Sequence, residues 1–574
     1  GGGLVGWVWV GRGRRRGTVS GGGLLSGGGA ELPAGGRIGL GLRDRAAAAA
    51  LVGEEDADQF FEISAGHPLC LAELAATSDV TQLPSSLVEV VSSRCDGLGS
   101  AAATIRSAAV IGARLDLDLL AAVLRRPVID LLGDVERAVA GRLLVDELGG
   151  FWFRHELVRA ALVAGTTVAR STLLHREASR VLARRVDADP VEVAGHARLG
   201  GDVVFAAQCL RDAAGRAGQR FDHATAERLL DDALRLHVDT ETWLERARVR
   251  TLRGRYDAAY EDVERAAPAG AAALEVGAWA SYFDRRFDQA IRYARDGEVL
   301  AEDPAVRARC QAVGGRTRHA AGDLEGAQRM LTEALEFATG MDQLTASAWL
   351  GVLRAHQSRV DDALRLLSPA ARSNASGEHT SATLHALLFS GHAHALAGRP
   401  VVALDYFNRY TDEVERRQVP RFAGRGVNFS GWVLRNVGAV EEAVERHLEA
   451  LEIANLHGTE EVTIAALEDL AEERLEAGDL GAAASRLATV QAHLRGDLVF
   501  AWRLELKLQL LRGRLALASG EAAQALEIAE RLAVRASGIG VPRYTSVAHL
   551  LGHRARARLG MPVDFAATEA DLDL

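Results

Sequence analysis

Apolar residues beyond residue 166 recur at helical spacing along most of the chain. Superimposed on this spacing is a small residue, usually glycine, followed five positions later by alanine. Successive alanines are 31 to 42 residues apart. The clear copies are Gly254–Ala259, Gly322–Ala327, Gly398–Ala403, Gly438–Ala443, Gly478–Ala483 and Gly520–Ala525, and the weaker copies are Gln219–Ala224, Arg285–Ala290 and Ser358–Ala363. Glycine permits a tight turn and alanine a close helix contact, so the pattern predicts stacked helical hairpins. We expect each hairpin to bury its face only against its neighbours.

Residues 85–165 have a different pattern. Helix-spaced apolar positions give way to two β-prone runs at 143–145 and 151–153, on either side of Gly149 and Gly150. A glycine pair between such runs is typical of a β-hairpin. A helix is predicted to begin at His155. Helices closed by a small hairpin make a winged-helix arrangement.

The first 80 residues carry weaker signals. Residues 1–36 are rich in glycine and have no period, so we expect them to be disordered. Apolar and other residues alternate over 38–42, which predicts one short strand. A helical pattern follows, and Gly66, His67 and Pro68 interrupt it, which predicts a joint between two helices.

Composition narrows the function classes. Acidic residues outnumber basic ones by 77 to 67 and the net charge is −10, which argues against broad contact with nucleic acid. Four cysteines lie far apart without a CxxC pair, which favours a reducing cytoplasm. The apolar run at 4–10 is far shorter than the ~20 residues that span a bilayer, so no membrane partner is predicted. The chain does not begin with methionine, and we interpret it as a fragment or an incomplete gene product.

Two resemblances follow from these motifs. The repeats resemble tetratricopeptide repeats. The segments "RIGLGLRDRAAAAAL", "SAGHPLCLAEL", "LPSSLVEVVSSRCDGL", "AAVIG", "LLVDELGGFWFRHELVRAAL" and "LLHREASRVL" occur in that order and resemble large ATP-dependent transcriptional regulators of the LuxR and SARP type. Those regulators are STAND signal-transduction ATPases. The resemblance implies a nucleotide-binding domain, a helical lid, a winged helix and a repeat sensor.

The expected fold is all-α, with a winged-helix-like unit followed by a tetratricopeptide-like α-α superhelix. The expected organisation is a low-complexity segment at 1–36, the remnant of the NTPase module and lid at 37–80, a winged-helix-like domain at 81–165 and helical repeats at 166–574.

The resemblance also implies three nucleotide-contacting residues. Gly66 and Pro68 match the lid motif that lies against adenine, and His155 stands where related ATPases place a histidine that senses the bound diphosphate. Two simpler interpretations stay open: a helix break at 66–68, and a residue at a helix N-terminus at His155.

A phosphate-binding loop is missing from these 574 residues. The motif needs Gly-Lys-Ser/Thr, and the only lysine, Lys507, follows Leu506. No cofactor is therefore expected, and ATP or ADP would require an upstream NTPase domain that this chain lacks. Nor does the sequence suggest a catalytic or metal site. His392 and His394 would face opposite ways on a helix, and His385 lies two turns from His392.

Two hypotheses about function remain. The first is a non-catalytic regulatory and protein-interaction module of a STAND-type transcriptional regulator, with a protein or small-molecule effector in the concave groove of the repeats. DNA would be contacted only through a module absent from this chain. The alternative is a stand-alone tetratricopeptide-repeat scaffold that binds a partner protein or peptide without a nucleotide switch. A phosphate-binding loop encoded upstream of residue 1 would favour the first.

Overall fold

The computed structural model describes residue 46 and residues 85–147, 149–373 and 379–563. These ranges contain 26 α-helices and three short strands. The predicted strand at 38–42, the joint at 66–68 and the glycine-rich segment at 1–36 lie outside the described residues.

The first unit consists of five helices and a small antiparallel sheet. The strand order is β1-β3-β2. The sequence predicted a turn at Gly149 and Gly150. In the structure Gly150 pairs with Glu147 and belongs to the second strand of the hairpin, so only Gly149 of the two glycines lies between the strands. The elements are α1 (Ser85–Asp96), α2 (Ala102–Ile111), β1 (Arg114–Leu115), α3 (Leu117–Leu124), α4 (Val128–Ala140), β2 (Leu144–Glu147), β3 (Gly150–Phe153) and α5 (Glu156–Ala164).

This first unit has one apolar core. Helix α4 presents Leu131 and Val135 at helical spacing towards Ile105 of α2, and Phe153 of β3 belongs to the same cluster. One carboxylate, Asp134, is buried in the unit, and it accepts hydrogen bonds from Thr104, Arg126 and Arg137.

Two helices join this unit to the rest of the chain. They are α6 (Val168–Leu182) and α7 (Pro190–Leu199). Leu174 and Leu182 of α6 pack with Val110 and Leu119 of the first unit. Within the described residues, no single helix has both the length and the apolarity to cross a bilayer. Only α5 and α6 taken together meet that length and composition, and the chain bends by 116° between them.

The remaining helices form nine antiparallel hairpins and one terminal helix. The first helices of the hairpins are α8 (Val203–Gln219), α10 (Thr240–Leu252), α12 (Ala271–Phe283), α14 (Pro304–Ala321), α16 (Gly340–His356), α18 (Thr380–Leu396), α20 (Arg425–Asn436), α22 (Glu460–Glu476) and α24 (Ala501–Ala518). The second helices are α9 (His223–Leu236), α11 (Tyr256–Arg265), α13 (Phe287–Leu300), α15 (Leu324–Phe337), α17 (Val360–Ala371), α19 (Pro400–Arg416), α21 (Val440–His457), α23 (Leu480–His493) and α25 (Ala522–Ile539), and α26 (Pro542–Arg558) ends the array.

The turn of every hairpin contains one residue with a left-handed backbone. Glycine fills six of these positions, where φ lies between 70° and 97°. Arg285 and Ser358 adopt φ of 62° and 60° and thus fill two of the predicted weaker copies. Five residues after each such turn residue comes an alanine that is fully buried. The predicted array of tetratricopeptide-like helical hairpins is therefore confirmed.

The first predicted copy, Gln219–Ala224, is wrong by two residues. The left-handed residue is Phe221, with φ of 62°, and the fully buried alanine is Ala226. Ala224 is exposed. The sequence favoured the wrong register because phenylalanine is not a residue that usually marks a left-handed turn.

First and second helices differ in burial. Along α18 every residue from Thr380 to Gly391 is buried, whereas α19 buries only one stripe at residues 403, 407, 410 and 414. In this hairpin the first helix is therefore the more deeply buried of the two.

The expectation that hairpins contact only their neighbours is wrong. Arg285 pairs with Glu460 at 2.5 Å, and the indole nitrogen of Trp502 donates to the carbonyl of His319 at 3.1 Å. These partners are five hairpins apart in the chain. The superhelix is wound tightly enough for its early and late hairpins to touch, so the inside is partly filled instead of forming an open groove.

Candidate functional site

The inside of the superhelix is lined by polar and aromatic side chains that belong to first helices. Arg316 of α14 is fully buried there. Its guanidinium lies 4.2 Å from the ring centre of Trp349 and donates to the Tyr282 hydroxyl at 3.0 Å. Burial lowers the pKa of Arg316, because the charged form loses hydration. The aromatic faces offset part of this loss through cation–π attraction.

A pocket of about 360 Å³ opens among the later first helices. Its walls come from α16, α18, α20, α22, α24 and α26, together with Ser358 and Val541 beside them. No second helix contributes to the wall of this pocket. A neighbouring recess of about 570 Å³ shares Trp432, Arg543 and Val547 with it. The pocket is thus a product of the superhelix and not of any single hairpin.

Aromatic and aliphatic side chains and two partly buried histidines, His356 and His392, form the less polar part of the wall. Phe429 and Trp432 lie one turn apart on α20, and His392 of α18 lies 5.3 Å from Trp432 between ring centres. Burial, together with the nearby cations Arg543 and Arg503, lowers the pKa of His392 to about 3. His392 is therefore neutral at physiological pH.

The charged part of the wall contains six cationic side chains and two carboxylates. The cations are Arg435, Arg503, Lys507, Arg514, Arg543 and Arg554, and the carboxylates are Asp469 and Glu472. Lys507 pairs with Asp469, and Arg514 pairs with Glu472 at 2.6 Å. Lys507 holds the pKa of Asp469 at about 2 in spite of burial, which by itself would raise that pKa. The pocket is thus cationic in a chain whose net charge is −10.

A buried acid lies close to the charged wall. Glu468 of α22 is 1% exposed, and neither carboxylate oxygen has a hydrogen-bond partner in the described part of the chain. Burial raises the pKa of Glu468 well above its usual value.

Of the three residues predicted from the nucleotide resemblance, the described one, His155, is not part of this pocket. Gly66 and Pro68 lie outside the described residues. His155 follows β3 and caps the N-terminus of α5, where its Nδ1 accepts from the Leu157 amide at 3.3 Å. A nucleotide contact by His155 stays a prediction.

The three histidines that the sequence singled out lie along α18 with different surroundings. His385 Nε2 is 3.0 Å from the guanidinium of Arg316, His392 lines the pocket, and His394 stacks on Tyr406 at 5.4 Å. His392 and His394 thus point to opposite sides of the helix, as their spacing predicted.

Sequence reasoning missed the pocket residues on α24 and α26. One available signal was the charge of their first turns: α24 and α26 carry Arg503 and Arg543 there and no acidic residue. Cations are unfavourable near the positive end of a helix dipole, so this placement is informative.

No protein-family model matches the chain, and no curated protein matches it. Three solved structures show a similar arrangement. A STAND protein with a tetratricopeptide repeat sensor from Pyrococcus horikoshii is 12% identical, with a TM-score of 0.30 over 92% of this chain and 70% of that one. A Rap protein complexed with competence and sporulation factor is 13% identical, with a TM-score of 0.38 over 62% of this chain and 97% of that one. The Cut9–Hcn1 heterotetramer of the APC/C is 14% identical, with a TM-score of 0.38 over 71% of this chain and 83% of the matched one.

Proposed function

We propose that this chain is the non-catalytic sensor part of a STAND-type transcriptional regulator, and that an effector binds inside the helical array. The observation that carries the proposal is the pocket of about 360 Å³ whose wall comes from six different helices. Ligand sites of proteins are concave and combine apolar walls with polar groups that orient the ligand. This pocket combines aromatic and aliphatic side chains with eight charged ones. An effector there would contact hairpins that are far apart in sequence and would bias the winding of the array.

The first unit serves as a winged-helix spacer in this proposal. Between residues 102 and 153 the order is helix, strand, two helices and a two-stranded hairpin, which is the order of elements in a winged helix. Helix α4, which would be the recognition helix, exposes Ile129 and carries Asp130 in its first turn. An acidic, partly apolar helix start is a poor match for DNA phosphates. DNA binding would therefore need a module outside these residues.

A nucleotide has no complete site in this proposal. ATP or ADP would depend on an NTPase domain outside these 574 residues, with Gly66, Pro68 and His155 as contributing contacts. Titration calorimetry with ATP and magnesium should detect no binding to this chain, and a dissociation constant in the low micromolar range would contradict that expectation.

The experiment that tests the sensor proposal is a thermal-shift screen of small metabolites with a variant that fills the pocket. Val547→Trp places an indole in the wall, whereas Val534→Trp adds the same group on α25, where the side chain is 76% exposed. A ligand at 100 times its dissociation constant stabilises the folded state by about 2.7 kcal/mol. We expect hits that raise the melting temperature of the natural chain and of Val534→Trp but not that of Val547→Trp. Hits that stabilise all three proteins equally would place the effector elsewhere.

A further inference from the structure

We infer that the ligand of this pocket is a small molecule carrying a carboxylate or phosphate group on a planar ring. The inference rests on the proposed sensor function and specifies the ligand class. It depends on three features of the wall: cations that form no ion pair with a carboxylate, aromatic side chains beside them, and the size of the cavity.

The cations of the pocket fall into two sets that differ in their partners. The paired set lies on α20 and α24 and faces the acids of α22; it comprises Arg435, Lys507 and Arg514. Charges in this set are already compensated, so they stabilise the wall and offer little to a ligand.

The second set consists of Arg503, Arg543 and Arg554. Within the described ranges, none of these three side chains forms an ion pair with a carboxylate. Arg503 is half-buried, and Arg543 and Arg554 are exposed at the mouth of the pocket. Guanidinium groups bind carboxylates and phosphates through two parallel hydrogen bonds, so this set has the donors that an anion needs.

The backbone adds to the positive electrostatic potential of the pocket. Arg503 and Arg543 lie in the first turns of α24 and α26, where helix dipoles already concentrate positive charge. Neither first turn contains an acidic residue to offset it. An anion between these two helix starts would relieve repulsion that the free protein bears.

Aromatic rings next to the free cations indicate the other part of the ligand. The Arg543 guanidinium lies 5.4 Å from the ring centre of Trp432, and Phe429 and Tyr544 line the same cavity. A planar ring would stack on this wall and place its anionic group against the arginines. A volume of about 360 Å³ is within the range of small-molecule sites.

A matched ligand series tests the inference on the full chain. 1-Naphthoate, 1-naphthalenemethanol and 1-naphthylmethylamine share one ring system and differ in charge. We expect titration calorimetry to show at least tenfold tighter binding of the naphthoate than of the alcohol, with the amine weakest. Arg543→Gln should weaken the naphthoate at least fivefold and leave the alcohol unchanged. Arg558→Gln, an exposed position on α26 outside the pocket wall, should change neither.

Two other outcomes would contradict the inference. Equal affinity for all three probes, or no effect of Arg543→Gln, would mean that the pocket accepts rings without selecting for charge, and the sensor proposal would survive. No naphthoate binding at millimolar concentration would overturn the ligand class. The Val547→Trp experiment decides separately whether the pocket is the effector site.

Discussion

The first unit and the helical array differ in how their buried acids are partnered. In the unit, the buried Asp134 receives three hydrogen bonds, two of them from arginines. In the array, both oxygens of the buried Glu468 and the Nη1 of Arg316 have no hydrogen-bond partner in the described part of the chain. An unsatisfied buried polar group costs about 1–3 kcal/mol. The array also contains well-paired acids, since Glu227 accepts from Arg250 and Asp262 accepts from Arg246. It differs from the unit in keeping a buried acid, Glu468, without such a partner in the described part of the chain, close to the pocket.

The apolar cores of the first unit and of the helical array also differ. One cluster holds all the helices and strands of the unit together. The array instead has one large cluster that runs from α12 to α20 and also includes α24, α25 and α26, together with several small clusters. The small clusters can open locally, whereas the large cluster couples early and late hairpins.

The largest expected effect comes from the only lysine. Lys507→Met leaves Asp469 and Glu472 buried without their shared cation. Removing one partner of a buried ion pair destabilises by about 3–5 kcal/mol. Arg531→Met removes an exposed pair with Glu527 and should lose less than about 1 kcal/mol. Urea unfolding followed by circular dichroism measures both, and equal losses would mean that the axis is not a low-dielectric interior.

A pair of glycine substitutions should change stability in opposite directions. A Cβ at Gly391 in the array would lie 2.5 Å from the ring of Phe407, so Gly391→Ala should destabilise by about 1–3 kcal/mol through overpacking. Gly133 in the unit is exposed and has no atom near its would-be Cβ. Gly133→Ala should stabilise by about 0.5–1 kcal/mol, because alanine favours helix. The same urea titration separates the two signs, and stabilisation by Gly391→Ala would disprove the close helix contact.

Acid should destabilise the array through its neutral histidines. Burial lowers the pKa of His392 to about 3, whereas the unfolded histidine takes up a proton near pH 6.5. Its contribution is complete above pH 6.5 and is lost as the pH falls towards 3. Between pH 7.5 and pH 5 this should lower the free energy of unfolding by about 1–2 kcal/mol. Urea unfolding of His392→Gln at both pH values should show a smaller fall, and an unchanged fall would mean that His392 is solvated.

The smallest expected effect is at His155. Its imidazole caps the N-terminus of α5, and replacing a capping side chain by alanine destabilises by about 1 kcal/mol. His155→Ala should therefore shift the urea midpoint of the unit slightly and leave the array unchanged. A large loss of stability would show that His155 has a structural part beyond capping.

The sequence predicted the repeats because their requirements are local. A left-handed turn residue and an alanine at a close helix contact are each visible in one short stretch, and eight of the nine copies were placed correctly. A third feature was missed: seven residues before each turn residue, as at Gly391 and Gly431, the first helix carries glycine or alanine against a bulky side chain of the second. It was missed because alanine is common throughout these helices.

The pocket could not be predicted from the sequence, because it depends on the winding of the array. Ala355 and Arg554 line the same cavity although 199 positions separate them in the chain. Arg503 and Arg514 look alike in the sequence, and only packing shows that Glu472 neutralises one and not the other. Effector binding in the concave groove of the repeats stays a prediction, and the pocket lies among the first helices of the later hairpins and the terminal helix.

Hydrogen exchange on Ala443→Leu tests most directly the claim that a repeat array is attached to a separate globular unit. Ala443 is fully buried in α21, so leucine there would force helices apart and destabilise by about 1–3 kcal/mol. We predict loss of amide protection in the hairpins between residues 400 and 485, extending at most to the early hairpins that touch them, while residues 88–165 keep their protection. Equal loss of protection in residues 88–165 would mean that the chain unfolds as one core, and the division into unit and array would be wrong.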